Sequence, residues 1–340
     1  MIIHGKAYPR AGLVGNPSDG YFGKTISFAF GNFAAQVLLY ETPELEILPN
    51  ERDHSRFKSL PELARDVRLH GYYGGIRLLK AAVKRFHDYC HENGIPLDER
   101  NFTLRYESNV PTQVGLAGSS AIIAACFRAL MAFYGVDIPR PVLANLILSV
   151  ENVELSIPAG LQDRVAQVYQ GLVYMDFDRD LMNRQGYGRY EELDPAVLPP
   201  LYVAYRAELS EGTEVFHNNI RARWERGEPE VVEAMRFWAN LTDQVYERLK
   251  SGRGREIAPL LNANFDRRCK IYKISEGNLR MVNEARATGA SAKFSGSGGA
   301  IVGTYEDEAM FQRLGERLSR IGCRVLKPEI MKSTAHQEAP

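Results

Sequence analysis

The sequence has few cysteines and histidines, and no long apolar run. Its 340 residues include only four cysteines, which lie far apart and form no CxxC pair: Cys90, Cys126, Cys269 and Cys323. A disulfide framework or a cysteine-based zinc site is therefore not expected. The 7 histidines show no HExxH or similar spacing, so no histidine-based metal motif is present either.

The sequence also lacks an excess of charge of either sign. Its 42 basic and 42 acidic residues balance, which disfavours a nucleic-acid partner or a polybasic membrane surface. No apolar stretch approaches the ~18 residues that span a bilayer, and the first ten residues, MIIHGKAYPR, have no signal-peptide core. We expect a cytoplasmic globular protein with no membrane or nucleic-acid partner.

The order of periodic segments predicts an α+β fold. FTLRYESNVP (102–111) and GLVYMDFD (171–178) alternate like strands, and helical periods cover 61–93, 119–134 and 140–155. After residue 208 comes a long, charged segment with helical periodicity. Gly- and Pro-containing breaks at 227–229 and 251–254 interrupt this periodicity. A domain boundary is expected at 198/199, and the tail 333–340 is expected to be disordered.

A Gly/Ser stretch opens the helix at 119. Glycine allows close backbone approach, and a helix N-terminus offers unpaired N–H groups, so such a loop suits a phosphate. The alternative is a simple helix cap, because serine is favoured there in any helix. The pattern is not a Walker A loop, because no lysine follows the last glycine. The candidate phosphate-binding residues are Gly115, Leu116, Ala117, Gly118, Ser119 and Ser120.

A second Gly/Ser stretch, FSGSGGAIVG (294–303), contains Gly296, Ser297 and Gly298. By itself it is compatible with a turn that enters a strand. Two such stretches in one chain favour a nucleotide held from two sides.

A third segment, PRAGLVGNPSDGYFGKT (9–25), places polar side chains among glycines. Arg10, Asn16 and Asp19 on a constrained loop would suit a hydroxylated substrate. The alternative is a surface turn, since NPSDG is a common turn sequence.

The fourth segment, SVENVELSIPAGLQD (149–163), carries three acidic candidates. Helical spacing from Ile147 puts Glu154 inside an apolar stripe and Glu151 at its edge. A carboxylate on a buried face is costly unless it is paired or bound to a metal, so one of the two is a candidate Mg²⁺ ligand. Asp163 follows a Pro-Ala-Gly loop and is compatible with a helix N-cap.

Read together, these segments resemble the GHMP small-molecule kinases, which include galactokinase, homoserine kinase and mevalonate kinase. PxxxGLxGSSA (111–121) resembles their central phosphate loop, AKFSGSGGAIVG (292–303) their C-terminal glycine motif, and residues 7–24 their N-terminal motif. The forms GNPSD and AGLQDRVAQVY are similar to the glucuronokinase branch of the family. The resemblance covers residues 5 to 325.

This resemblance implies a fold of two domains. The N-terminal domain, residues 1–198, would be related to the second domain of ribosomal protein S5. The C-terminal domain, residues 199–332, would be a ferredoxin-like α+β domain. The active site would lie in the cleft between them.

The resemblance also implies an activity: ATP- and Mg²⁺-dependent phosphorylation of the anomeric hydroxyl of a uronic acid, converting D-glucuronate to glucuronate 1-phosphate. Asp163 would face the attacking hydroxyl, as general base or as orienting group, with Arg10 beside it. Ser120 and a glutamate would ligate Mg²⁺; Glu151, twelve residues before Asp163, has the spacing of sugar 1-kinases. Asn16, Asp19 and Asp163 would contact the sugar.

A uronic acid also needs a cationic pocket, preferably a bidentate arginine. The sequence offers Arg105, Arg164, Arg267 and Arg268 without choosing among them. The alternatives are a kinase for galactose, an N-acetylhexosamine or a heptose phosphate, and a non-catalytic homologue that senses ATP and sugar. Ala117 departs from the family, which more often has glycine there. Both a monomer and a homodimer are compatible with the sequence.

Overall fold

Two compact units, each assembled from several stretches of chain, make up the computed structural model. The structure describes residues 1–50, 53, 59, 74–206 and 220–332. The first unit comprises residues 1–8, 33–110 and 118–159, and the second comprises 9–32, 111–117 and 160–340. The sequence-based boundary at 198/199 falls inside the second unit, and the two-domain division stays a prediction. The predicted disordered tail and the helical predictions for 61–73 and 208–219 lie outside the described residues.

Twelve strands are found in the described part of the chain. In chain order they are β1 (Ile2–Ala7), β2 (Arg10–Val14), β3 (Lys24–Ala29), β4 (Ala35–Thr42), β5 (Glu46–Ile47), β6 (Asn101–Ser108), β7 (Leu172–Asp176), β8 (Arg189–Leu193), β9 (Leu201–Tyr205), β10 (Lys293–Phe294), β11 (Ala300–Thr304) and β12 (Arg324–Leu326).

The α-helices with assigned bounds are α1 (Gly75–Glu92), α2 (Gly118–Tyr134), α3 (Arg140–Ser149), α4 (Leu161–Tyr169), α5 (Arg179–Gln185), α6 (Pro229–Lys250), α7 (Ala258–Ile271), α8 (Glu276–Arg286) and α9 (Glu308–Ser319). The two strands predicted near 102–111 and 171–178 are confirmed as β6 and β7. None of the helices in the described ranges is long and apolar enough to span a membrane.

The first unit is a four-stranded sheet covered by helices. Its strand order is β1-β4-β6-β5, with β4 antiparallel to both β1 and β6. Helix α2 buries apolar and small residues along most of its length, including Ile123, Phe127 and Leu130. An α-helix that is apolar on most sides belongs in a protein core, so α2 is the central helix of this unit.

The second unit contains two four-stranded sheets. One has the order β2-β3-β7-β8 and is antiparallel throughout. The other has the order β10-β11-β9-β12, with helices α6 to α8 between β9 and β10 and helix α9 between β11 and β12. A β-α-β-β-α-β sequence with this strand order is ferredoxin-like, as the sequence predicts for the C-terminal part.

Candidate active site

A charge-assisted pair between Arg10 and Asp163 occupies the second unit. Arg10 Nε and Nη2 each lie 2.7 Å from Asp163 Oδ1, with the arginine side chain 7% and the aspartate side chain 22% exposed. Arg10 begins β2, and Asp163 stands in the first turn of α4, where a negative charge is favoured by the helix dipole. The N-cap of α4 is Gly160, so Asp163 is not the cap. Its carboxylate is directed to the arginine instead.

The same arginine joins the two Gly/Ser stretches. Arg10 Nη1 donates to Gly115 O at 2.7 Å and to Ser295 O at 3.2 Å, and the Arg10 amide donates to Leu116 O at 3.2 Å. Ser295 Oγ lies 3.3 Å from Gly115 O. One buried guanidinium therefore holds the aspartate and both loops in a single arrangement.

The carbonyl groups of these loops face cations. Arg10 contacts the carbonyls of residues 115 and 295, and Arg268 donates to Gly296 O at 3.1 Å and to Ser297 O at 3.4 Å. In a trans peptide the next N–H points the opposite way. The amides of residues 116 and 296–298 therefore point away from the cations, and none of them donates to an acceptor within the described part of the chain. Such a set of amides is a nest for an anion.

Two glycines make this close approach of the loops feasible. Gly115 has a φ of +68°, and a Cβ there would lie 2.9 Å from Gly298 O. A Cβ on Gly296 would lie 2.5 Å from Gly115 O and 3.1 Å from both Arg10 Nη atoms. Ala117 adopts a φ of +61° despite its Cβ, so the loop has a left-handed conformation at a residue other than glycine.

Replacing Gly296 with alanine is expected to raise the KM for ATP at least ~10-fold and to lower the free energy of unfolding by about 1–3 kcal/mol, because the new methyl group overpacks the junction of the loops. Gly315→Ala is the control. Gly315 lies in α9 with no atom within 4 Å of its added Cβ, so that change should be neutral or stabilising. Equal behaviour of the two variants in urea unfolding and ATP titration would contradict the packing argument.

The predicted sugar-side residue Asp19 lies beside the Arg10–Asp163 pair. It occupies a short 3₁₀ turn, Ser18–Tyr21, and its Oδ2 approaches Gly160 so closely that a Cβ there would lie 2.7 Å from it. Burial, and then the negative charge of Asp163, raise the pKa of Asp19 to about 6, against a smaller opposing effect of Arg10. Two carboxylates, those of Asp19 and Asp163, thus lie close to the guanidinium of Arg10.

Asn16 has both amide atoms engaged by protein groups. Its Oδ1 accepts from Lys293 Nζ at 2.6 Å, and its Nδ2 lies 3.4 Å from Gly296 O. Its role as a sugar ligand stays a prediction. Lys293 is buried, and burial together with the charges of Arg268 and Arg10 holds its pKa well below the usual value. Sequence reasoning missed Lys293; its only signal was a lysine at the entrance of the second Gly/Ser stretch.

The metal-ligand candidates lie in the first unit, where helix α2 begins at Gly118. Ser119 Oγ donates to Glu151 Oε1 at 2.9 Å, and both Ser120 and Glu151 are buried. Hydroxyl and carboxylate oxygens at a helix N-terminus are the hard donors that Mg²⁺ prefers. The set would therefore fit a magnesium ion. Assignment of Ser120 as a ligand stays a prediction.

Glu154 is directed elsewhere, because the helix register changes before it. Residues Val150–Glu154 form a π-helical turn directly after α3. A π turn holds more residues than an α turn, so side chains within it depart from the period of 3.6 residues from which the placement of Glu154 was predicted. Glu151 is 2% exposed, whereas Glu154 Oε1 pairs with Lys84 Nζ at 3.0 Å. The period of 3.6 residues thus predicted burial of Glu154, whereas Glu151 is the more deeply buried of the two. The assignment of Glu151 as the metal ligand stays a prediction.

The four arginines proposed for a substrate carboxylate have different surroundings. Arg105 is exposed on β6 of the first unit. Arg164 Nη1 donates to Gly160 O at 2.8 Å and lies 3.4 Å from Asp163 Oδ2. The Arg267 guanidinium lies 5.7 Å from the ring centre of Phe237. Arg268 is buried against the second Gly/Ser stretch.

Comparison with known proteins gives the class to which this fold and site belong. Residues 77–171 match the family profile described as GHMP kinases N terminal domain. The galactokinase of Lactococcus lactis, solved in complex with galactose, superposes with a TM-score of 0.73 over 98% of this chain and 95% of that one, at 16% identity. At that identity the likeness concerns the fold.

Two relatives are much closer in sequence. Glucuronokinase 1 of Arabidopsis thaliana is 43% identical over 306 residues, which are 88% of this chain and 84% of the relative. Probable glucuronokinase 2 of the same plant is 44% identical over 308 residues, with the same coverage. The chain belongs to the GHMP kinase family. It is accordingly a phosphotransferase with an alcohol group as acceptor, and the predicted α+β GHMP kinase fold is confirmed. As a family, these kinases use ATP as co-substrate, generally with Mg²⁺.

Proposed function

We propose that the protein is an ATP- and Mg²⁺-dependent sugar 1-kinase that converts D-glucuronate to glucuronate 1-phosphate. The observation that carries this proposal is the position of Arg10, which binds Asp163 and both Gly/Ser loops at once. A group for the acceptor hydroxyl and a cradle for phosphates are thereby anchored to one side chain. The names of the two plant relatives supply the sugar.

In the proposed reaction, the amides of residues 116 and 296–298 bind phosphate oxygens of ATP. Asp163 accepts a hydrogen bond from the anomeric hydroxyl and orients its oxygen toward the γ-phosphorus. The bond between this oxygen and the γ-phosphorus forms as the bond to the β,γ-bridging oxygen breaks, and the hydroxyl proton passes to Asp163. Phosphoryl transfer needs mainly such positioning and neutralisation of charge.

Ser119, Ser120 and Glu151 would hold Mg²⁺, which neutralises phosphate charge when bound. Glu151→Gln is expected to raise the Mg²⁺ concentration for half-maximal activity about 10-fold or more, because a charged ligand becomes neutral. Glu154→Gln is the matched control, three residues away and paired with Lys84. It should leave Mg²⁺ activation within about twofold of wild type. The reverse ranking in a Mg²⁺ titration of initial rates would transfer the metal role to Glu154.

Through Asp19, we expect kcat/KM for the sugar to depend on pH. Because the pKa of its carboxyl is raised to about 6, lowering the pH through this value protonates it and weakens it as an acceptor for sugar hydroxyls. We expect kcat/KM for the sugar to fall on the acid side with a midpoint near 6, and Asp19→Asn to be low and flat over that range. A midpoint near 6 that persists unchanged in Asp19→Asn would assign the titration to another group.

The sugar assignment is tested by coupled ADP-release assays with MgATP. The acceptors would be D-glucuronate, D-galacturonate, D-glucose, D-galactose, N-acetylglucosamine, mevalonate and a heptose 7-phosphate. We expect selective turnover of D-glucuronate. Turnover of neutral sugars alone would retain the kinase and reject the uronate. ATP binding without turnover of any acceptor would favour the sensor alternative.

A further inference from the structure

Arg268 is a buried cation whose hydrogen-bonding capacity is only partly used. It lies near the end of α7, is 4% exposed, and is stacked 4.8 Å from the ring centre of Tyr272 and 5.2 Å from that of Phe294. Its two Nη atoms donate to Gly296 O and Ser297 O. Its Nε has no acceptor within the ranges that the structure describes.

No carboxylate of the described residues lies within 4.0 Å of this guanidinium. Burial lowers the pKa of Arg268, which reflects the cost of a desolvated positive charge. Arg10, by contrast, is paired with Asp163, and the nearby Lys293 adds a further buried amine. Asp19 also acts on Arg268, but the three arginines Arg10, Arg164 and Arg268 outnumber the carboxylates of Asp19 and Asp163. An anionic ligand would compensate this excess of positive charge.

The contacts of Arg268 place it on the side of the Asp19 loop. Its acceptor Gly296 O also receives Asn16 Nδ2, and Tyr272 packs in one apolar cluster with Tyr21, two residues after Asp19. The Tyr272 hydroxyl is buried, with the residue 7% exposed, and burial together with its interaction with the Tyr21 side chain raises its pKa. Each phenol has one O–H donor, so the Tyr21–Tyr272 pair can offer a donor to an anionic group of a ligand.

Arg268 lies on the carbonyl side of the second Gly/Ser stretch, whereas the phosphates of ATP are expected on its amide side. It binds the carbonyls of residues 296 and 297, whereas the amides of residues 297 and 298 point away from it. The anion expected at Arg268 is therefore a different one from the triphosphate.

We propose that Arg268 and the Tyr272 hydroxyl form the subsite for the carboxylate of the uronic acid. This inference rests on the proposed function, and it selects one of the four arginines that the sequence offered. Arg105 is exposed on β6, Arg164 is engaged with Gly160 and Asp163, and Arg267 stacks on Phe237. Arginine suits the task because its planar fork matches a carboxylate.

The test compares two acceptors, D-glucuronate and its neutral analogue D-glucuronamide, in wild type and in Arg268→Gln. The measured quantity is the ratio of kcat/KM for the acid to that for the amide. If the substitution only disturbs the second Gly/Ser stretch, kcat/KM falls equally for both acceptors and the ratio does not change. We expect Arg268→Gln to lower the ratio about 100-fold, because a buried charge pair is lost. Arg268→Lys keeps the charge and should lower it about 10-fold.

Tyr272→Phe provides a second variant that retains the ring beneath the guanidinium. It should lower the same ratio about 5-fold, since a single hydrogen bond to a charged group is removed. The KM for ATP should stay within about threefold of wild type in this variant.

The outcomes separate the two proposals. If wild type uses D-glucuronate but the ratio is unchanged in Arg268→Gln and Tyr272→Phe, the carboxylate subsite is wrong and the proposed function stands. If wild type neither binds D-glucuronate in calorimetry nor phosphorylates it, both are wrong. If Arg268→Gln loses affinity for ATP with no change in the ratio, Arg268 only holds the second Gly/Ser stretch in place, and the carboxylate subsite is wrong.

Discussion

Replacing Asp163 with asparagine is expected to lower kcat about 10³-fold, with the KM for ATP within about threefold of wild type. Asparagine keeps the size of the side chain but cannot take the hydroxyl proton, and it presents an amide in place of the charge that Arg10 binds at 2.7 Å. Removal of a positioned acid–base group costs ~10²–10⁴ in rate. Steady-state kinetics with D-glucuronate and MgATP give both constants.

Asp180→Asn is the control for this substitution. Asp180 is an exposed aspartate in the first turn of α5, in the same unit as Asp163, and its substitution should leave kcat within about twofold of wild type. If Asp163→Asn retained more than a tenth of wild-type kcat, Asp163 would not be the group that acts on the acceptor hydroxyl.

Arg10→Gln is expected to lower kcat/KM about 10²–10³-fold and to reduce the free energy of unfolding by about 2–3 kcal/mol. The substitution leaves Asp163 without its main partner and removes the donors to Gly115 O and Ser295 O. Breaking a buried pair costs about 3–5 kcal/mol, and the partial exposure of Asp163 reduces that figure. Urea unfolding and initial rates measure the two effects.

Arg10→Lys separates charge from geometry. Lysine keeps the positive charge but cannot contact Asp163 and two carbonyls at once, so it should recover much of the stability and little of the activity. Arg105→Gln, an exposed arginine on β6, should change neither quantity appreciably. Full activity in Arg10→Lys would mean that the fork geometry of Arg10 is dispensable.

The sequence predicted those parts of the site that depend on local pattern. The two Gly/Ser stretches could be interpreted as anion loops because glycine content and a helix start are visible locally. The ferredoxin-like arrangement of β9 to β12 was predicted because the order of the motifs resembles that of the GHMP kinases. Arg10 and Asp163 lie 153 positions apart, and composition or periodicity could not pair them. Their expected association came from the family resemblance alone.

Other features of the site depend on tertiary contacts that have no local signature. The π turn at Val150–Glu154 changed which glutamate is buried, and a search for a period of 3.6 residues cannot detect such a turn. Lys293 and Asn16 are 277 positions apart, so their pairing required the folded chain. The sequence did not distinguish Arg268 from the other three candidate arginines, and only the structure shows that it is buried against the second Gly/Ser stretch.

Transfer of phosphate to the anomeric oxygen of D-glucuronate is tested by locating the phosphate in the product. The enzyme would be incubated with MgATP and D-glucuronate, and the purified product examined by proton–phosphorus correlated NMR. We expect a single phosphomonoester whose phosphorus is coupled to the proton on C1. Coupling to a proton on any other carbon, or the absence of a sugar phosphate, would contradict it.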